Sequence, residues 1–232
     1  MLQTRKSDQR GFADHGWLKS FHSFSFAGYY DANHTGFASL RVINEDRVAP
    51  GKGFGTHPHH DMEIISYVLE GELEHKDNMG NGSVIRPGDV QCMSAGTGVL
   101  HSEFNPSSSE AVHFLQIWIE TNAVGIPPGY QQRHFDAAVL RGNLRLLVSP
   151  DGRDDSLTVH QDAYLYAAKL DAAEAVQYSL TAGRRGYVFV ARGAAAVNGQ
   201  NLSTGDALAC VDEPLISVER GKHAEVLLFD LA

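Results

Sequence analysis

Cysteine is scarce: the 232 residues hold two, Cys92 and Cys210, set far apart in apolar, strand-like stretches. A disulfide framework and a cysteine-ligated metal are therefore not expected, and both thiols read as buried and free. Positive charge is also short. Nineteen Lys and Arg face 28 Asp and Glu, for a net charge of −9, and the longest basic run is Arg184-Arg185. Direct nucleic-acid binding and docking to an anionic membrane both need clustered basic side chains, so neither is expected. Long apolar runs are missing. No stretch approaches the roughly eighteen residues of a membrane helix. No apolar segment follows Met1–Lys6, so no signal peptide is expected and the cytoplasm is the expected compartment. No glycine-rich phosphate loop opens a strand-to-helix turn, and no serine nucleophile elbow is present. Asp151–Asp155 lacks the full calcium-loop pattern.

What is present is strand-like. The apolar share is 43% and the charged share 20%, ordinary for a globular chain. Short alternating or continuous apolar runs recur between Gly, Pro, Asn and Asp, and His113–Ile119 is the strongest strand candidate. Such spacing predicts an antiparallel barrel or sandwich. Composition shifts at Asn122–Tyr130, through Gly125-Ile126-Pro127-Pro128-Gly129, and suggests two domains, 1–130 and 131–232. The halves share a style. Glu70-Gly71, the Asn78–Gly82 turn and Pro87-Gly88-Asp89 are paralleled by Arg192-Gly193, Asn198-Gly199 and Thr204-Gly205-Asp206, which predicts an internal duplication.

Twelve histidines is a high count, and two pairs stand out: His57-Pro58-His59 and His101-Ser102-Glu103. Residues two apart on a strand share a face, so each pair presents two side chains to one point. Three imidazoles and a carboxylate suit a divalent transition metal, with Fe, Ni, Cu, Co, Mn and Zn all compatible. Two glutamates compete for the carboxylate role. Glu103 shares a strand face with His101. Glu63 keeps the parity of His57 and His59 only if the chain stays extended through His60 and Asp61. Glu103 is favoured, with Glu63 as a group orienting a histidine. The second half has neither pair, so one site per chain is expected.

The spacing Gly51, His57-x-His59, Glu63, Gly71, followed by Gly98, His101, Asn105, resembles the two cupin motifs. It departs from them in having seven residues between Glu63 and Gly71, and Gly96 where proline is usual. Further stretches narrow the resemblance to the pirin family: Phe21-His22-Ser23-Phe24-Ser25-Phe26, Tyr67-Val68-Leu69-Glu70-Gly71, His75-Lys76-Asp77, Pro87-Gly88-Asp89-Val90-Gln91 and Ser94-Ala95-Gly96-Thr97-Gly98. The resemblance implies an all-β bicupin, two antiparallel β-barrel (jelly-roll) domains face to face, with metal only in the first. It implies His57, His59, His101 and Glu103 as ligands and iron(II) as the metal. It also implies a dioxygenase that cleaves a flavonol such as quercetin with dioxygen, with Glu103 as the base that takes the substrate's hydroxyl proton. An alternative role is an iron-binding regulatory protein acting through a protein partner.

A single histidine on an apolar strand is ordinarily a satisfied core residue. His75, in register with Leu73, is a candidate to line the pocket, and His113 a weaker one. His22 is read as aromatic packing; His15, His34, His134, His160 and His223 as surface or structural; Met62 and Met93 as core.

Overall fold

The computed structural model describes residues 1–232 and is built almost wholly of strands. The first half holds β1 (Leu2–Arg5), β2 (Gly11–Asp14), β3 (Leu18–His22), β4 (Leu40–Val48), β5 (Gly53–His59), β6 (Met62–Glu70), β7 (Leu73–Asp77), β8 (Gly82–Ile85), β9 (Asp89–Ser94), β10 (Val99–Phe104), β11 (Val112–Glu120) and β12 (Gly129–His134). A single-turn helix, α1 (Ala137–Leu140), leads to the second half. That half holds β13 (Arg145–Ser149), β14 (Leu157–Thr158), β15 (Ala163–Leu170), β16 (Val176–Ser179), β17 (Arg185–Val197), β18 (Gln200–Ser203), β19 (Ala207–Val211) and β20 (Leu215–Leu231). No helix is long and apolar enough to cross a membrane.

The first barrel is a seven-stranded sheet, ordered β12-β9-β6-β11-β4-β3-β2, closed by a four-stranded sheet, β5-β10-β7-β8. The second follows the order β1-β19-β17-β20-β15-β13-β14, with β16 on β20 and β18 on β17. The bicupin expected from the sequence is therefore what the chain forms. The boundary expected at residue 130 falls inside β12, which pairs with β9 and stays with the first sheet. At the other end, β1 leaves the first domain and pairs with β19 of the second.

Alternation along each strand decides what faces what. On β4, Ile43 enters a core of 28 buried residues drawn from both halves, while Asn44 and Asp46, on the opposite face, line the cavity of the first barrel; Leu40 joins the same core because the pairing with β11 slips between Val42 and Leu40. The shared core packs the two barrels against each other through Ile65, Leu115, Ile117, Phe189, Leu227 and Phe229, among others. The Tyr67 hydroxyl donates to Glu225 across the junction, and Arg192 donates to Glu70 and to the Leu69 carbonyl. Both cysteines are free and buried, as the sequence predicts.

Candidate metal centre

Strand pairing builds the centre. On β5 and β10, His101 lies opposite His57 and Val99 opposite His59, so the three imidazoles meet on one inner face. Pro58 breaks no ladder, because β5 is an edge strand. The register slips between His101 and Glu103, where Glu103 pairs with Phe54; a bulge of this kind re-aims the side chains beside it. Two glycines permit the approach. A Cβ on Gly53 would lie 2.3 Å from the Glu103 carbonyl, and one on Gly96 2.1 Å from the Ile126 carbonyl, with φ +48° at Gly96.

One nitrogen from each of His57, His59 and His101 lies within 4.8 Å of the others. Their ring centroids are 4.4–4.9 Å apart. Burial, with His57 and His60 adding to it, lowers His59 to about 4. Burial together with His57 and His59 lowers His101 to about 3. Both rings are thus neutral at neutral pH, with lone pairs free to ligate.

Their hydrogen bonds show that a metal fits. His57 Nδ1 lies 2.7 Å from the Gly55 carbonyl and must donate to it, which leaves Nε2 bare. Behind His101 stands His75, fully buried. Its Nε2 lies 3.0 Å from Asp77 Oδ2, and its Nδ1 lies 3.4 Å from His101 Nδ1. A carboxylate only accepts, so the His75 tautomer that fits these contacts donates from Nε2 and accepts at Nδ1. His101 then donates from Nδ1, and its Nε2 becomes a lone pair pointing inward. That Nε2 is buried and has no partner in the protein, as a ligand atom would be before it meets its ion. Asp77 is itself fixed by the Met79 and Asn81 amides and the Asn81 side chain. Burial works to raise its carboxyl, but these bonds and His75 outweigh it and hold the group below its ordinary range. Tyr130 stacks on His75 at 4.8 Å and locks its plane.

Glu103 lines the same cavity but stands outside the 4.8 Å imidazole set. Gln116 Nε2 donates to its Oε2 at 2.8 Å and Ser66 Oγ to its Oε1 at 3.2 Å. Burial raises the carboxyl, with Gln116 and nearby His75 and His57 opposing. Glu63 belongs elsewhere. Asp61 turns the chain with φ +46°, so Glu63 loses the parity of the histidines and faces the domain junction. There it accepts from Ser94 and pairs with His160 of the second half, at 2.7 and 3.3 Å. Glu63 therefore orients a histidine, but one remote from the centre. His113 is tied to Glu45 at 2.9 Å and does not reach the cavity.

The cavity, about 640 Å³, opens beside His57 and His59. Its walls are Trp17, Phe26, Phe54 and Trp118, with Trp118 edge-on to His59 at 5.0 Å and Phe26 edge-on to Trp118 at 5.4 Å. His15 and His22 also line it, contrary to their reading as structural or packing residues. Sequence reasoning also passed over Asn44, Asp46 and Gln116. The signal available was a polar residue at every second position of otherwise apolar strands.

Residues 3–119 match the family model described as Pirin, and residues 146–231 the one described as Quercetinase C-terminal cupin domain. The chain belongs to the pirin family. An Escherichia coli (strain K12) protein named quercetin 2,3-dioxygenase is 52% identical over 231 residues, which covers 100% of this chain and 99% of that one. A pirin-like protein of Caulobacter vibrioides is 42% identical over 233 residues, covering 100% of each. The crystal structure of the bacterial pirin YhhW from Escherichia coli in complex with nickel(II) superposes with a TM-score of 0.95 at 51% identity, over 100% of this chain and 99% of that one. For this pirin, the three-histidine group and the metal-bearing relative together identify a divalent-metal centre in the first barrel.

Proposed function

We propose that this protein is a metal-dependent dioxygenase that opens the central ring of a flavonol such as quercetin. The observation that carries the reading is the union, in one cavity, of three inward imidazoles, a buried carboxylate and an aromatic wall. Similarity to a protein named quercetin 2,3-dioxygenase supports it. His57, His59 and His101 hold the metal, and Glu103 is the fourth donor. Iron(II) is the metal proposed, and nickel suits the same donors. When bound, the ion supplies a Lewis acid for the substrate's ionised hydroxyl and a site for electron exchange with dioxygen.

The chain's own residues do the rest. Glu103 takes the proton of the flavonol 3-hydroxyl, a role suited to a carboxyl that burial raises above its ordinary range. Gln116 and Ser66 orient it through the bonds described above. Phe26, Trp118 and Phe54 hold the planar rings and exclude water. In the overall reaction both atoms of dioxygen enter the product, and one ring carbon leaves as carbon monoxide.

The test is anaerobic mixing of iron- or nickel-loaded protein with quercetin, followed by oxygen. One carbon monoxide per flavonol consumed is expected, with little turnover in Glu103→Gln. Loaded protein that leaves quercetin intact would remove the enzymatic reading. A role through a protein partner would then take its place.

A further inference from the structure

Four buried polar atoms of residues lining the cavity have no partner in the protein: Asn44 Oδ1, Asp46 Oδ1, His22 Nδ1 and Trp118 Nε1. Asn44 and Asp46 are 3% and 4% exposed. They occupy successive inward positions of β4, on the wall formed by the seven-stranded sheet, while the histidines come from the four-stranded sheet. A buried acceptor left unpaired costs about 1–3 kcal/mol, so two side by side on one strand call for an explanation. Neighbouring protein groups supply none, and the side chains that carry these atoms line the cavity. Ordered water can occupy such a position and be displaced by a ligand group that reproduces its bonds.

We propose that Asn44 and Asp46 are specificity-determining residues. They form a hydroxyl-reading wall that selects an aromatic ligand carrying phenolic O–H donors away from its metal-binding oxygens. The inference rests on the flavonol reading above and deepens it. The donor pattern is specific. Asn44 Oδ1 and Asp46 Oδ1 each take an O–H from the ligand, whereas the indole N–H of Trp118 can only donate and takes a carbonyl or ether oxygen. A polyhydroxylated flavonoid offers both kinds of group. A purely hydrocarbon ring of the same size leaves these atoms unpaired and is rejected for that reason. Ser20, paired with Asp46 in register and bonded to His22 at 2.8 Å, holds the wall's outer edge.

The experiment is an anaerobic titration of nickel-loaded protein, read by intrinsic fluorescence, because both tryptophans of the chain, Trp17 and Trp118, line the cavity. Three probes are compared: quercetin, 3-hydroxyflavone, which lacks every other hydroxyl, and the flavone that differs from quercetin only by the missing 3-hydroxyl. Quercetin is expected to bind about 10–100-fold more tightly than 3-hydroxyflavone. In Asn44→Leu and in Asp46→Leu that ratio is expected to fall about 10-fold, with metal content unchanged. The thermal midpoint of Asn44→Leu should not drop, since its acceptor has no partner to lose; a merely structural role would lower it. Should a leucine variant fail to fold, the smaller Asn44→Val or Asp46→Val asks the same question. A ratio that survives the substitutions overturns the wall, even with the 3-hydroxyl effect intact. The reverse result, a lost 3-hydroxyl effect with an intact wall, overturns the metal-binding reading instead. No binding of any probe overturns both.

Discussion

The two barrels share a strand order and differ in what fills them. β12-β9-β6-β11-β4-β3 corresponds to β1-β19-β17-β20-β15-β13. One rung across the first sheet runs His22, Asn44, Gln116, Ser66, Gln91 and Gln132, polar on every strand. A rung across the corresponding strands of the second runs Leu146, Tyr166, Leu228, Val188, Leu208 and Thr4. The second interior packs 16 buried apolar residues into one cluster, whereas the first has two small clusters of 7 and 4, whose packed neighbours Trp17, Phe54 and Trp118 line the cavity. One repeat thus carries a hollow, polar interior, and the other supplies apolar burial. The shared core couples them, so the stability of the second barrel holds the first in shape.

Four measurements test this contrast. The largest effect is expected for His101→Ala, which removes a donor from the hollow barrel. Metal affinity should fall by more than the roughly 100-fold typical of residues that only orient a ligand, with the fold retained by circular dichroism. If metal stays bound, the centre lies elsewhere.

Acid titration addresses the back of the first barrel, where Glu45 meets Arg10 and His113. Burial would raise Glu45, but His113 and Arg10 outweigh it and bring it down to about 2 from 4.5. A depressed carboxylate stabilises the fold above its unfolded value and loses that contribution as pH falls. Unfolding free energy should therefore drop by on the order of 3 kcal/mol between pH 4.5 and 2, and Glu45→Gln should flatten the drop. Identical acid curves for wild type and variant would show that the ion pairs add nothing.

Next in size are Asp77→Asn and His75→Phe, which cut the chain of bonds behind His101. Each is expected to weaken metal binding about 10–100-fold without changing the ligands, as measured by competition with a chelator. An unchanged affinity would mean that His101 is oriented by packing alone.

The smallest effect compares the interiors directly. Ile216→Val in the filled barrel should cost about 0.5–1.5 kcal/mol. Phe12→Leu at the exposed mouth of the hollow one should stay within about 0.5 kcal/mol. Equal costs would mean that the cavity closes in solution.

Much of this was legible in advance. Period two in His57-x-His59 and His101-x-Glu103 places all four side chains in one barrel, and the turn glycines mark the duplication. The role of Glu63 was not legible, because one left-handed residue, Asp61, turns the chain and reverses its parity. His22 was hidden by its aromatic neighbours. Asn44, Asp46 and Gln116 were hidden because isolated polar residues carry meaning only when register sets them side by side.

The sequence by itself determined the local periodicity, the turns, the paired side chains of His57-x-His59 and His101-x-Glu103, and the family, since these depend on neighbours along the chain. The tertiary structure alone decided that β1 crosses to the second sheet, that His75 stands behind His101, and that Glu63 serves the junction. It also decided that six polar residues from six strands form one rung. Each of those depends on strand register, which is set by long-range pairing and burial and cannot be read from any single segment.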